Sequence, residues 1–240
     1  MKFAFPLALF LILAGCGSEE ETRKPTLKSE QEKYRGVDTT QETAENANDF
    51  MHSQSYEDLV ASFESEERTS YQQPNKVLAF LGDLTGKKVM DLGAGTGYFS
   101  FRLYEKGASV IAADVDENFQ EFIRNKKDSL KIGDDQIELR LIPYDSPSLK
   151  KNEVDLVLVV NTYHHIENRT EYFKQIKQGL KPGGRLVIID FKKEDLPVGP
   201  PAKMKMEPEE VKIELQSSGF GKIEMNKDLL KYQYIVTAEI

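Results

Sequence analysis

The stretch Val89-Met90-Asp91-Leu92-Gly93-Ala94-Gly95-Thr96-Gly97-Tyr98 decides the fold. An apolar run ends in an acid and passes directly into a turn with three glycines. A second apolar run, Val110-Ile-Ala-Ala-Asp114, ends in another acid about twenty residues past the first glycine. This layout predicts a strand–turn–helix–strand unit that holds a nucleoside between a bare backbone turn and a carboxylate.

The glycine register narrows the ligand. A dinucleotide-binding turn reads G-x-G-x-x-G, whereas here the glycines fall at 93, 95 and 97, and Tyr98 takes the third dinucleotide position. Asp91 argues the same way, because a carboxylate beside a diphosphate is repelled. A ligand carrying an ammonium or sulfonium group is attracted instead, and S-adenosylmethionine carries both. Gly93, Gly95 and Gly97 allow close backbone approach and positive φ. Asp114, at the end of a strand, is placed to accept from both ribose hydroxyls.

With these residues the sequence resembles the class I S-adenosylmethionine-dependent methyltransferases from about Pro74 to Ile240. The motifs are Val89–Gly97, Val110–Asp114, the run Asp155-Leu-Val-Leu-Val-Val-Asn-Thr-Tyr-His-His-Ile-Glu-Asn-Arg169, and Leu180-Lys-Pro-Gly-Gly-Arg-Leu-Val-Ile-Ile-Asp190. The resemblance implies an α/β three-layer Rossmann-like sandwich. Its mostly parallel seven-stranded sheet carries an antiparallel last strand, and helices at the N-terminal side form a lid. It implies S-adenosyl-L-methionine as cofactor, held by Asp91, Gly93, Ala94, Gly95, Gly97, Asp114, Asp145 and Asn161. Asp145 is expected on the adenine amino group, with Tyr144 against the ring.

The periodicity agrees with that frame. Strands are expected at Lys88–Leu92, Val110–Ala113, Ile137–Ile142, Val154–Val160, Leu186–Ile189, Ile223–Met225 and Tyr232–Ala238. Helical patterns lie between them, and Val154–Val160 is almost wholly apolar, as a strand covered on both faces should be. Ligands in such sheets bind beyond the carboxyl ends of the strands, where the strand order reverses. Between residues 50 and 82, Phe50, Leu59, Val60 and Phe63, then Val77, Leu78 and Leu81 after Pro74, mark the lid helices; Tyr56 and Tyr71 are candidate lining residues.

Asn161-Thr162-Tyr163-His164-His165 is the expected wall of the reaction centre. Methyl transfer needs a nucleophile held in line, and a base only where that nucleophile bears a proton of high pKa. His164 or His165 is a candidate for the base and Tyr163 for orienting the acceptor; the other reading, from the related motif, is that His165 packs under the cofactor or caps the next helix. Adjacent histidines chelate one ion poorly, so no metal is expected. The resemblance implies that the region of Lys203, Met204, Lys205 and Met206 borders the acceptor pocket, and a solvated loop is the other reading of this run.

The remaining chain points to a membrane. Met1-Lys2 precedes an apolar run, Phe3–Ala14, broken only by Pro6 and closed by Leu13-Ala14-Gly15-Cys16. This run is too short for the about 30 Å of a bilayer core and has the dimensions of a signal peptide. The tetrapeptide resembles the bacterial lipoprotein lipobox. That resemblance implies removal of residues 1–15, acylation of Cys16 and export to a membrane-anchored position. Residues 16–49 are polar and aperiodic and read as a flexible tether of roughly 30 Å end to end. Residues 50–240 then form one domain, with the lid at 50–82 and the core at 83–240. The chain has one cysteine, so no intramolecular disulfide forms. Its net charge of −8 lacks the basic footprint of a nucleic-acid binder. A small-molecule acceptor is therefore expected. A non-catalytic nucleoside-binding lipoprotein is the second reading.

Overall fold

The computed structural model describes residues 46–240. The expected signal peptide, Cys16 and the expected tether up to residue 45 lie outside the described residues. The chain is already helical at the expected end of the tether. Helix α1, Ala47–His52, is capped by the Asn46 side chain, which accepts from the Asp49 N–H at 2.9 Å. Ala47 and Phe50 then pack on Met204.

Three more helices complete the lid: α2 (Tyr56–Phe63), α3 (Glu66–Gln72) and α4 (Pro74–Leu81). Ser55 and Ser65 cap the first two through 3.1 Å bonds to the third residue onward, and Pro74 opens α4 at a position where its missing N–H costs nothing.

The core alternates strands and helices: β1 (Lys88–Leu92), α5 (Tyr98–Glu105), β2 (Ser109–Asp114), α6 (Glu117–Leu130), β3 (Ile137–Leu141) and β4 (Val154–Val160). It continues with α7 (Arg169–Gly179), β5 (Leu180–Phe191), α8 (Pro208–Ser217), β6 (Gly221–Asn226) and β7 (Gln233–Glu239). The sheet order is β3-β2-β1-β4-β5-β7-β6, and β7 runs antiparallel to both of its neighbours. β5 is longer than the expected Leu186–Ile189, because a register shift between Val154 and Leu156 absorbs Lys181–Gly184.

The two-residue period of the strands sorts the core into two layers. Val89, Val110, Leu156 and Leu158 face α4, α5 and α6 through Val77, Leu81, Phe99, Leu103 and Ile123. Met90, Ile111, Val157 and Val159 face α7 and α8 through Phe173, Ile176, Val211 and Leu215. The strand order reverses between β1 and β4, and their carboxyl ends open there into one large cavity under the lid. Among the described residues, no helix is long and apolar enough to cross a membrane.

Candidate active site

The cavity holds about 700 Å³, within the range of small-molecule sites. One end is built by the turn after β1. Gly93 and Gly95 have φ of 75° and 54°, and the N–H groups of Gly93 and Ala94 both bond the Ala113 carbonyl, at 2.9 and 3.0 Å. A Cβ at Gly93 would lie 2.3 Å from Thr162 Oγ1, and one at Gly95 would lie 3.3 Å from the Phe63 ring. Gly93 therefore admits no side chain, and Gly95 leaves little room for one. Asp114 lines the same end. Its Oδ2 accepts the Gly95 N–H at 2.7 Å and its Oδ1 the Asp116 N–H at 3.0 Å. Burial pushes its carboxyl up, against the pull of those N–H groups. Phe63, Phe119 and Tyr56 stack in series beside it, with ring centroids 5.5–5.6 Å apart.

Arg68, on α3, lines the cavity without a carboxylate partner in ion-pair contact among the described residues. Its guanidinium sits 4.2 Å over the Tyr98 ring and 5.3 Å over Phe63. Nη1 donates to the Phe63 carbonyl at 3.2 Å, while Nε is shielded and has no hydrogen-bond partner among the described residues. Burial pushes its pKa down, so an anionic ligand group here relieves an existing electrostatic cost.

The other end is built after β4 and β5. His164 Nδ1 lies 2.9 Å from both oxygens of Asp190, and both side chains are almost wholly buried, 3% and 2% exposed. Asp190 Oδ1 also accepts the Phe191 N–H at 2.8 Å. His165 is gripped twice by Asn48: Asn48 Nδ2 donates to the His165 carbonyl at 3.2 Å, and Asn48 Oδ1 meets His165 Nδ1 at 2.9 Å. Desolvation drives the His165 pKa down to about 3, helped by the neighbouring His164, so its ring is neutral. Tyr71 packs on Phe191, whose ring lies against Gly199, and Val198 joins that cluster.

Three carboxamides tie the lid to the sheet in a closed ring. Asn161 Nδ2 donates to Gln72 Oε1 at 3.1 Å, Gln72 Nε2 to Gln233 Oε1 at 2.9 Å, and Gln233 Nε2 to Asn161 Oδ1 at 2.6 Å. Asn161 holds φ at 55°, at the reversal point of the sheet. Glu64 on the α2–α3 link makes a further tie, accepting from Thr96 Oγ1 at 2.6 Å.

The cavity thus brings together Gly93, Ala94, Gly95, Asp114, Asn161, His164 and His165, with Tyr56, Tyr71 and Tyr144 also in its lining. Other expected site residues lie elsewhere. Tyr163 does not orient an acceptor: its ring is fully buried against Phe173 and its hydroxyl bonds Glu214 Oε2 at 2.5 Å, on the opposite layer. Asp145 is exposed and outside the lining, because its turn is fastened to α7 through its own carbonyl, which accepts from Gln175 at 3.2 Å. Asp91 is buried behind the turn, where it accepts from Ser100 Oγ at 2.7 Å, and burial pushes its carboxyl up to about 6. Gly97 caps α5 with φ 77° and is not in the lining. Lys205 is likewise turned away, donating to the Glu194 carbonyl at 2.9 Å beside Phe191. Arg68, Gln72, Asn48 and Asp190 were not expected in site roles. Asp190 carried a signal, being an acid at the carboxyl end of a strand next to the reversal point, whereas the lid residues carried none.

This fold, with its glycine turn and acid-tipped second strand at the sheet's reversal point, defines the S-adenosylmethionine-dependent methyltransferase class. Residues 83–238 match the family described as a methyltransferase domain, and the chain belongs to that family. It is 26% identical to a SAM-dependent methyltransferase of known structure from Aquifex aeolicus, with a TM-score of 0.70 over 78% of this chain and 99% of the other. It is 30% identical to a demethylmenaquinone methyltransferase of Tropheryma whipplei over 51% of this chain and 54% of that protein. It is also 31% identical to a tRNA U34 carboxymethyltransferase of Klebsiella pneumoniae over 47% and 34%. The chain spans about half the length of the first of these curated relatives and a third of the second. The cofactor of the class is S-adenosylmethionine, and the residues present fit it: a glycine turn that allows close backbone approach, a carboxylate beside it, and a shielded cation that lacks a carboxylate partner among the described residues.

Proposed function

We propose that this protein methylates a small-molecule acceptor, with His164 taking the proton of the attacking group. The observation that carries this reading is the buried His164–Asp190 pair, set on the same cavity as the glycine turn. Gly93, Ala94, Gly95 and Asp114 would hold the adenosyl part of the cofactor, and Arg68 its carboxylate. When bound, the cofactor supplies an electrophilic methyl group on a sulfonium. It would pass that methyl group to the acceptor's attacking atom and be left as the uncharged thioether. His164, with Nδ1 engaged by Asp190, offers Nε2 for the acceptor's proton. Lid residues Asn48, Tyr56, Arg68 and Tyr71 line the same cavity.

Two relatives name different acceptors, a demethylmenaquinone and a tRNA. Here the described lining contains a single Lys or Arg, Arg68, which favours a small molecule over a phosphate backbone. The test is release of S-adenosylhomocysteine by the purified protein across an acceptor panel, with His164→Ala as control. Turnover that survives in His164→Ala removes the proton-transfer role.

The anchoring part of the proposal rests on the sequence around Cys16. We expect Cys16→Ser to leave the protein soluble or unprocessed. Unchanged membrane fractionation of that variant contradicts acylation as the anchor.

A further inference from the structure

The two histidines at the acceptor end carry more information than a general base requires. Each tautomer is fixed by its partner. A carbonyl oxygen only accepts, so the Asn48 atom bonded to the His165 carbonyl is its NH₂ group. The Asn48 atom facing His165 Nδ1 is therefore its oxygen. An amide oxygen also only accepts, so His165 Nδ1 carries the proton and Nε2 carries the lone pair. His164 Nδ1 faces the Asp190 carboxylate, which only accepts, so that nitrogen carries a proton, and in the neutral ring that the proposed base requires Nε2 carries the lone pair. The ring centroids are 4.3 Å apart, tilted by 37°. The result is two neighbouring nitrogen acceptors in the cavity lining.

The surroundings set the rest of the ligand. Tyr71, Phe191 and Val198 supply flat apolar surface. The described lining includes Asp58, Glu67, Asp114 and Asp116 against a single Lys or Arg, Arg68. The lining as a whole therefore opposes an added negative charge. A molecule with one donor would leave one imbalance, a buried acceptor nitrogen without a proton to receive, which is costly.

We infer that the methyl acceptor is an uncharged aromatic molecule with two adjacent hydroxyl groups, one given to His164 for deprotonation and methylation, the other read by His165. This rests on the proposed methyl transfer at this site. In the transfer, one hydroxyl oxygen gains the methyl carbon and its proton goes to His164 Nε2. The second hydroxyl keeps its proton and donates it to His165 Nε2. Asn48 is then a positioning residue, acting through the tautomer it imposes.

The test uses the full chain loaded with S-adenosylhomocysteine and calorimetric titration of three probes. These are 4-methylcatechol, its mono-ether 2-methoxy-4-methylphenol, and 3,4-dihydroxybenzoate. The diol is expected to bind at least about tenfold more tightly than either of the others, as one well-placed hydrogen bond provides. Asn48→Ala and His165→Phe are expected to collapse the diol-to-ether ratio towards one while S-adenosylhomocysteine affinity holds. Nitrogen-15 imidazole spectra of the unmutated protein are expected to show both rings protonated at Nδ1. Equal affinity for diol and ether, tighter binding of the benzoate, or no binding of the diol to the loaded protein overturns the inference and leaves the methyltransferase reading standing. Failure of S-adenosylhomocysteine itself to bind removes both.

Discussion

Replacing Arg68 with Met separates the cofactor's two halves. Methionine keeps an apolar stem over Tyr98 and Phe63 and removes the guanidinium. In the free protein the lost interactions are modest: a 3.2 Å bond to the Phe63 carbonyl and two cation–π contacts of roughly 0.5–2 kcal/mol. Against them stands relief of a desolvated cation whose Nε has no partner, and sulfur–aromatic contacts return roughly 0.3–1.5 kcal/mol. Stability should therefore change by no more than about 1 kcal/mol. Ligand binding should change much more. A charged hydrogen bond is worth about 1.5–3 kcal/mol, so the Kd for S-adenosylhomocysteine should rise about 10- to 150-fold. Methylthioadenosine shares the adenosine and lacks the amino-acid end, so its Kd should hold. Calorimetry with both ligands, beside thermal melts, measures each quantity. If both ligands weaken equally, or neither weakens, Arg68 does not meet the carboxylate.

Three other perturbations test separate parts of the structure. Gly93→Ala forces a Cβ to 2.3 Å from Thr162 Oγ1 at φ 75° and should cost about 1–3 kcal/mol in chemical denaturation, with partial recovery in the double variant carrying Thr162→Ala; a neutral Gly93→Ala contradicts the turn geometry. Asp190→Asn keeps an oxygen for the Phe191 N–H and removes the charge behind His164. It should lower kcat about 10- to 150-fold with cofactor affinity unchanged, and an unchanged kcat removes Asp190 from proton transfer. Two groups make opposite contributions to acid stability. Asp91 titrates at about 6 when folded, above its usual 3.8, so its contribution is present below pH 3.8 and lost as pH rises through 6. His165 titrates at about 3 when folded, below its usual 6.5, so its contribution is present above pH 6.5 and lost as pH falls towards 3. Melting curves from pH 3 to 7 should therefore show Asp91→Asn raising stability most near neutrality and His165→Gln flattening the acid limb; parallel curves for all three proteins contradict both assignments.

The sequence announced the sheet through local signals. Glycine register, acid-tipped strands and near-continuous apolar runs each follow from a short stretch of chain, and β1 to β4 and the antiparallel β7 fell where these placed them. The cofactor end was legible for the same reason: Gly93, Gly95 and Asp114 are close in sequence. The acceptor end was not. Asn48 and His165 are 117 residues apart, and Gln72 and Gln233 are 161 apart. No periodicity reports such pairings. Tyr163 shows the limit most clearly. It stands between a strand end and two lining histidines, yet the short 3-10 turn Tyr163–His165 rotates its ring into the opposite layer, against Phe173. Asp145 shows a second limit, since a loop acid's direction depends on which backbone groups fasten the loop. Arg68 belongs to a helix whose sequence reads as an ordinary polar surface, and its position over Tyr98 exists only once the lid has docked.

The most direct test of the cofactor site is an amide titration of the isotopically labelled protein with S-adenosylmethionine. The signals of Gly93, Ala94, Gly95 and Asp114 should shift together and saturate at one equivalent per chain, with remote strands such as β6 unmoved. A spectrum that stays unchanged at millimolar donor contradicts the account at its root.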